Sequence, residues 1–177
     1  MTIEFRRELQ LKDGTPVLIR MYEPDDIDEV REGLKKISDS SFYLRFMTSL
    51  GKLPDAQLKK LKRIDQDHHL AICAFDISQD PMVGIGIARY VCCEGEPEVA
   101  EAAVTVIDEF QNRGLGTQLL QALAELADAN GIQHLRAHVL SNNTPILTIA
   151  ERAGAQIQHY DGAVLQIDLP VSAALGR

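Results

Sequence analysis

The stretch from Val104 to Thr117 constrains this chain more than any other. Val104-Thr105-Val106-Ile107 is β-branched and apolar. Asp108-Glu109-Phe110-Gln111-Asn112-Arg113-Gly114 is polar and ends on glycine. Leu115, Leu119, Leu123 and Leu126 then recur at helical spacing, with Leu120 and Ala127 beside them. The order is strand, glycine loop, amphipathic helix. The first turn of a helix leaves backbone N–H groups without partners, and its dipole adds partial positive charge there. Glycines let an anion approach those donors, so the unit is a cradle suited to a diphosphate. A Walker A loop needs Gly-Lys followed by Ser or Thr, which is absent after Gly116. A dinucleotide fingerprint needs a small residue at position 119, which is Leu119. What remains is Q/R-x-x-G-x-G/A, met by Gln111, Gly114 and Gly116. The loop alone does not separate that pattern from a glycine-punctuated helix start that holds no ligand.

The rest of the chain alternates the same two kinds of element. Strands are expected at Thr15 to Arg20, His69 to Phe75, Pro81 to Cys93, Glu98 to Ile107, His134 to Val139, Ala155 to Tyr160 and Ala163 to Leu169. Helices are expected from Pro24 to about Ile37, Ser40 to Phe46, Pro54 to Lys62, Leu115 to the stop at Asn130-Gly131, and Thr144 to Arg152. Asp161-Gly162 is a hairpin signal, and antiparallel meanders are expected at both ends. Gly84 and Gly86, inside a strand, indicate a bulge or a close backbone approach. A length of 177 residues fits one domain over 1–177 with a buried core and no fused module.

Composition removes several function classes. The net charge of −8 argues against general nucleic-acid binding, which needs a basic surface. It also means that an anionic ligand must be held by local donors rather than a global positive field. No apolar run is long enough to span a bilayer, and the N-terminal residues lack the apolar region of a signal peptide. Cys73, Cys92 and Cys93 form neither a CxxC motif nor a disulfide framework, and a cytoplasmic location fits best. Asp65, Asp67, His68 and His69 read as a polar loop before a strand rather than a metal cluster, and no metal is expected. His134, Arg136 and His138 read as a surface ladder on one strand face.

Taken with its flanks, the Val104–Thr117 unit resembles the GNAT superfamily of acyl-CoA-dependent N-acetyltransferases. The likeness extends to Asn143-Thr144-Pro145-Ile146-Leu147-Thr148-Ile149-Ala150-Glu151-Arg152-Ala153-Gly154, where Asn143 precedes Gly154 at the family's spacing. Asp13-Gly14-Thr15-Pro16-Val17-Leu18-Ile19-Arg20, Tyr43-Leu44-Arg45-Phe46 and Ala100-Glu101 look like the GNAT domains of bacterial protein-lysine acetyltransferases. The resemblance implies an α/β (α+β) fold, with a mixed, mostly antiparallel central sheet flanked by helices. A V-shaped opening is implied between the fourth and fifth strands, those of Val104–Val106 and His134–Val139.

It further implies acetyl-CoA as co-substrate and direct transfer of the acetyl group to a primary amine, on a small molecule or a protein lysine. Pantetheine would bond to main-chain groups around Val104, Thr105 and Val106, with the Val106 N–H as oxyanion donor. Gln111, Asn112, Arg113, Gly114, Leu115, Gly116 and Thr117 would form the diphosphate site, and Asn143 would contact the cofactor. Glu101 matches the general base, acting through water; a solvated glutamate at a strand start is the alternative. The tyrosine that many members use to protonate the thiolate is replaced by Ala150, leaving Tyr160, water, or no acid at all. Tyr43, Arg45, Arg89 and Tyr90 are candidates to line the acceptor side, with a structural role for each as the equal alternative. Neither nucleic acid nor membrane is an expected partner, and the chain is expected to be a monomer or a homodimer. A non-catalytic acyl-CoA-binding domain and a nucleotide-dependent α/β protein are the alternative readings.

Overall fold

The computed structural model describes residues 4–46 and 59–177. The strands are β1 (Arg6–Gln10), β2 (Pro16–Met21), β3 (His69–Asp76), β4 (Val83–Cys93), β5 (Glu96–Val106), β6 (His134–Leu140), β7 (Gln156–Asp161) and β8 (Val164–Pro170). The helices are α1 (Ile27–Lys35), α2 (Asp39–Phe46), α3 (Leu115–Ala129), α4 (Thr144–Arg152) and the single turn α5 (Val171–Ala174). All eight strands form one sheet in the order β1-β2-β3-β4-β5-β6-β8-β7. Among the described residues only β5 and β6 run parallel; every other pair is antiparallel. This is the expected mixed, mostly antiparallel architecture. Because β1 adds a strand at the N-terminal edge, the expected fourth and fifth strands are β5 and β6.

Both faces of the sheet are covered, which is why β3 is buried along its whole length and reads as a continuous apolar run. On one face Leu115, Leu119 and Leu123 of α3 bury against Ile85, Ala88, Tyr90 and Ala100. On the other, Ala71, Cys73 and Phe75 meet Tyr22, Leu61 and the apolar stripe Ile27, Val30 and Leu34 of α1. A third cluster seats α4, through Ile146, Leu147 and Ala150, on Val139 and Ile167. Gly84 and Gly86 serve two purposes. The β3–β4 register shifts opposite them, between Ala74 and Phe75. A Cβ on Gly86 would lie 3.0 Å from Leu119 Cδ1 and 3.2 Å from the Thr105 carbonyl oxygen, so α3 can approach this closely only at glycine.

Three features differ from the sequence expectation. β1 was not anticipated, because Arg6-Arg7-Glu8 masks its pattern; only Phe5 and Leu9 turn inward, and Arg7 reaches Glu125 at 2.6 Å. The expected helix from Pro24 begins as a 3-10 turn, Pro24–Asp26, before α1. The C-terminal strands do not form a simple meander, since β8 inserts beside β6 and leaves β7 at the edge. Burial explains that order. β8 carries Leu165, Ile167 and Leu169 into the core, whereas β7 is exposed at nearly every position. The helix expected at Pro54 to Lys62 lies largely outside the described residues; 59–61 are helical.

The start of α1 is pinned by a buried ion pair. Arg20 donates to both Asp26 oxygens at 2.8 and 2.7 Å, and the Glu23 N–H donates to Asp26 at 2.8 Å. The Arg20 guanidinium also stacks 4.6 Å from the Phe75 ring centroid. Removing one partner strands the other charge in a site where Asp26 is 6% exposed. Asp26→Ala is predicted to lower the unfolding free energy by about 3 kcal/mol, read from the urea midpoint.

Candidate active site

The site begins where β5 and β6 part. Their ladder has three pairs, Val99 with His134, Ala100 with Leu135, and Glu101 with Arg136. Beyond Glu101, β5 continues to Val106 and β6 to Leu140 with no pairing between them. This is a fork in the sheet, and among the described residues its inner edge, without a strand partner, is the second half of β5.

Hydrogen-bond parity identifies which main-chain groups line that edge. The Ile107 N–H donates to the Ile85 carbonyl at 3.1 Å, on the β4 side. The Glu98 carbonyl accepts from the Gln133 N–H at 2.8 Å, on the β6 side. Strand residues alternate, so Ala102, Val104 and Val106 direct their N–H and C=O groups into the fork, and Ala103 and Thr105 direct theirs to β4. The Val106 carbonyl fits this parity: it accepts the Gln111 side-chain amide at 3.1 Å.

At the wide end of the fork lies the glycine loop. A 3-10 turn, Asp108–Phe110, leads into it, and Asn112 and Gly114 adopt φ of 60° and 90°. Gly114 is the N-cap of α3, and among the described residues no side chain caps the helix. The first internal bond runs from the Gln118 N–H to the Gly114 carbonyl at 3.1 Å. The N–H groups of Leu115, Gly116 and Thr117 therefore point out of the helix end. Gln111 also donates to Asp108 at 3.3 Å, so its amide ties the loop to the end of β5. Arg113 lies 4.7 Å over the Phe110 ring and donates to Asp13 at 2.9 Å. Gly116 sits where a Cβ would be 3.0 Å from Ile149 Cδ1 of α4. Asn143 is the N-cap of α4, so the two helices that flank the fork touch at its mouth.

The opposite face of β5 carries charge. Glu101 is exposed and Thr105 accepts the Arg45 Nε–H at 3.0 Å. Since α2 also approaches β6, it bridges both prongs. Burial, then repulsion from Arg89, pushes Arg45 down to about 10, and the Glu101 carboxylate opposes that shift. Arg89 is lowered by burial and likewise supported by Glu101. His69, whose Nε2 is 3.5 Å from Arg89 Nη1, is held below its ordinary value by burial and by that arginine. Glu101 thus shares a field with two arginines, one of which also approaches His69.

Other sequence candidates fall elsewhere. Tyr90 lies on the α3 face, fully buried, and its hydroxyl accepts from Asn130 at 2.7 Å; it holds the end of α3 and does not line the acceptor side. The Tyr43 side chain lies outside the described residues. Ala150 is in the α4 core, and Tyr160 is 59% exposed with its ring 4.3 Å from that of His138. His134 and His138 form the expected ladder, reaching Asp168 at 2.6 Å and Gln166 at 3.2 Å. Asp65 accepts the N–H groups of Asp67 and His69 as a turn residue. Burial raises the thiols of Cys73, Cys92 and Cys93. The sequence reading missed the Arg45–Thr105 bond, although Arg45 lies within a stretch that carried the resemblance.

Comparison with known proteins agrees with this geometry. Residues 17–156 match the family model described as an acetyltransferase (GNAT) domain. The chain is 30% identical over 125 residues to acetyltransferase PA5475 of Pseudomonas aeruginosa, covering 71% of this chain and 67% of that one. It is 31% identical over 164 residues to acetyltransferase Pat of Mycolicibacterium smegmatis, covering 92% of this chain but only 48% of the relative. Among solved structures, the GNAT domain of S. lividans PAT superposes with a TM-score of 0.83 at 24% identity, covering 93% of this chain and 96% of that one. The yncA protein of Salmonella typhimurium, solved with acetyl-CoA, has a TM-score of 0.70 at 16% identity, covering 88% and 94%.

The loop geometry generates a direct test. An L-side chain at the φ of 90° held by Gly114 is strained even though the space is open there, with only the Lys12 stem nearby. Gly114→Ala is expected to cost about 1–2 kcal/mol of stability, measured by chemical denaturation without ligand.

Proposed function

The chain belongs to the GNAT family of acetyl-CoA-dependent acetyltransferases, and within that family we propose that the fork is its catalytic site for acetyl transfer to a primary amine. The observation that carries this is the parity of β5. The Val104 and Val106 main-chain groups face a gap that ends at an uncapped, glycine-led helix start. An extended thioester laid along that edge finds strand-like partners for its amides and helix N–H groups for its diphosphate. Gly114 to Thr117 suit the phosphates, and Asn143 at the start of α4 faces the same ligand from the other prong.

The amine nitrogen attacks the thioester carbonyl carbon. A C–N bond forms, the C–S bond breaks, and the electron pair leaves with sulfur. A main-chain N–H in the fork donates to the oxygen as it gains charge. An alkyl amine has a pKa of about 10.4 in water, so it must lose a proton before attack. Glu101 takes that proton. Strand rise places Val104 about 10 Å and Val106 about 17 Å from Glu101, so the transfer runs through water. With Ala150 in place of a tyrosine, the thiolate leaves without an acid from α4.

Glu101→Gln tests the base. It keeps the shape and the cofactor edge but removes basicity. Acetyl-CoA affinity should hold while kcat/KM falls by about 10² to 10⁴, with a smaller defect at high pH. A screen of small amines and protein lysines with labelled acetyl-CoA supplies the acceptor. Unchanged turnover in the variant would return Glu101 to a solvated strand residue. Cofactor binding without turnover on any amine would make the chain an acyl-CoA-binding domain.

A further inference from the structure

The protein is acidic, yet its glycine loop is bordered by a cation from another part of the chain. The β1–β2 turn closes through Leu11 and Thr15, whose backbone N–H and carbonyl groups bond at 2.9 Å. Asp13 in that turn accepts the Thr15 N–H at 3.0 Å and the Arg113 guanidinium at 2.9 Å. That ion pair fastens the turn to the loop that precedes α3. It also lays the neighbouring side chain across the loop. Lys12 Cε, Cγ and Cδ lie 3.5, 3.9 and 4.0 Å from the point a Gly114 Cβ would occupy. Among the described residues Lys12 forms no ion pair.

Such a placement is unfavourable by itself. A cation beside a helix N-terminus meets the positive end of the dipole. Arg113 is offset by Asp13, which it bonds at 2.9 Å, and by Asp76, so the ammonium of Lys12 is the positive charge left over at the loop. An anion resolves the conflict, because it attracts the helix end and the ammonium together. We propose that Lys12 is a cofactor-binding residue whose ammonium joins the α3 N–H groups in holding a phosphate group of coenzyme A. This rests on the acetyl-CoA reading above and adds a residue from outside the glycine loop.

The test uses the whole chain, titrated with coenzyme A at low ionic strength in a calorimeter. Lys12→Met keeps the stem over Gly114 and removes only the charge. It is expected to weaken binding about tenfold, and Lys12→Arg to restore most of it. Added salt should weaken the wild type more than Lys12→Met. Without ligand, Lys12→Met should melt at the same temperature or roughly 1–3 °C higher, since the conflict is relieved. Titration with dephospho-coenzyme A assigns the contact: a persisting defect places the ammonium on the diphosphate, and a vanishing one places it on the 3′-phosphate. Equal affinity of Lys12→Met and wild type overturns the proposal. So does an arginine variant as weak as the methionine one, or a marked fall in the melting temperature of Lys12→Met, which would make Lys12 structural. A wild type that binds no coenzyme A overturns this proposal and the acetyl-CoA reading together.

Discussion

Everything about this site depends on one broken ladder. A strand edge cannot leave its N–H and C=O groups buried without partners, so sheets normally close their gaps. Here β5 and β6 share three residue pairs and then part. The split follows from connectivity. Strands β1 to β5 are joined in sequence as antiparallel neighbours, whereas β6 follows a crossover through α3 and enters parallel to β5. One prong carries the apolar backing of α3, and the other carries α4 and the β8–β7 pair. The inner edge of β5 thus keeps strand hydrogen-bonding capacity in a place that a linear ligand can reach.

The two faces of β5 divide the labour. Ala102, Val104 and Val106 pack their side chains toward the α3 core and offer main chain to the fork. Glu101 and Thr105 point to the other face, where Arg45 and Arg89 concentrate positive charge. Alternation by single residues along one strand therefore separates ligand-holding backbone from the titratable groups. Arg45 ties this face together, since it grips Thr105 from a helix that also reaches β6.

Much of this was legible in the sequence because the signals were local. Leu115, Leu119 and Leu123 declare the buried face of α3, and Gly114 and Gly116 declare its start. The apolar run at β3 declares a strand covered on both sides. What was hidden depends on contacts distant in sequence. β1 is a charged edge strand with only Phe5 and Leu9 inward, so its alternation is weak. The insertion of β8 between β6 and β7 is decided by which strand buries more, a comparison that no single segment contains. Tyr90 could by its sequence either line the acceptor side or serve the core; the alternation of β4 sends it to the face opposite Arg89, into contact with Asn130. Lys12 is an ordinary turn lysine until the Asp13–Arg113 pair brings it to Gly114.

The contact between Gly116 and Ile149 has a mechanical consequence. The strands set where the fork begins, but a parting of strands leaves its angle undetermined. At the far end of the gap α3 and α4 meet at a position with no side chain to spare. A larger residue at position 116 would press on Ile149 and drive α4 away from α3, widening the gap from its far end.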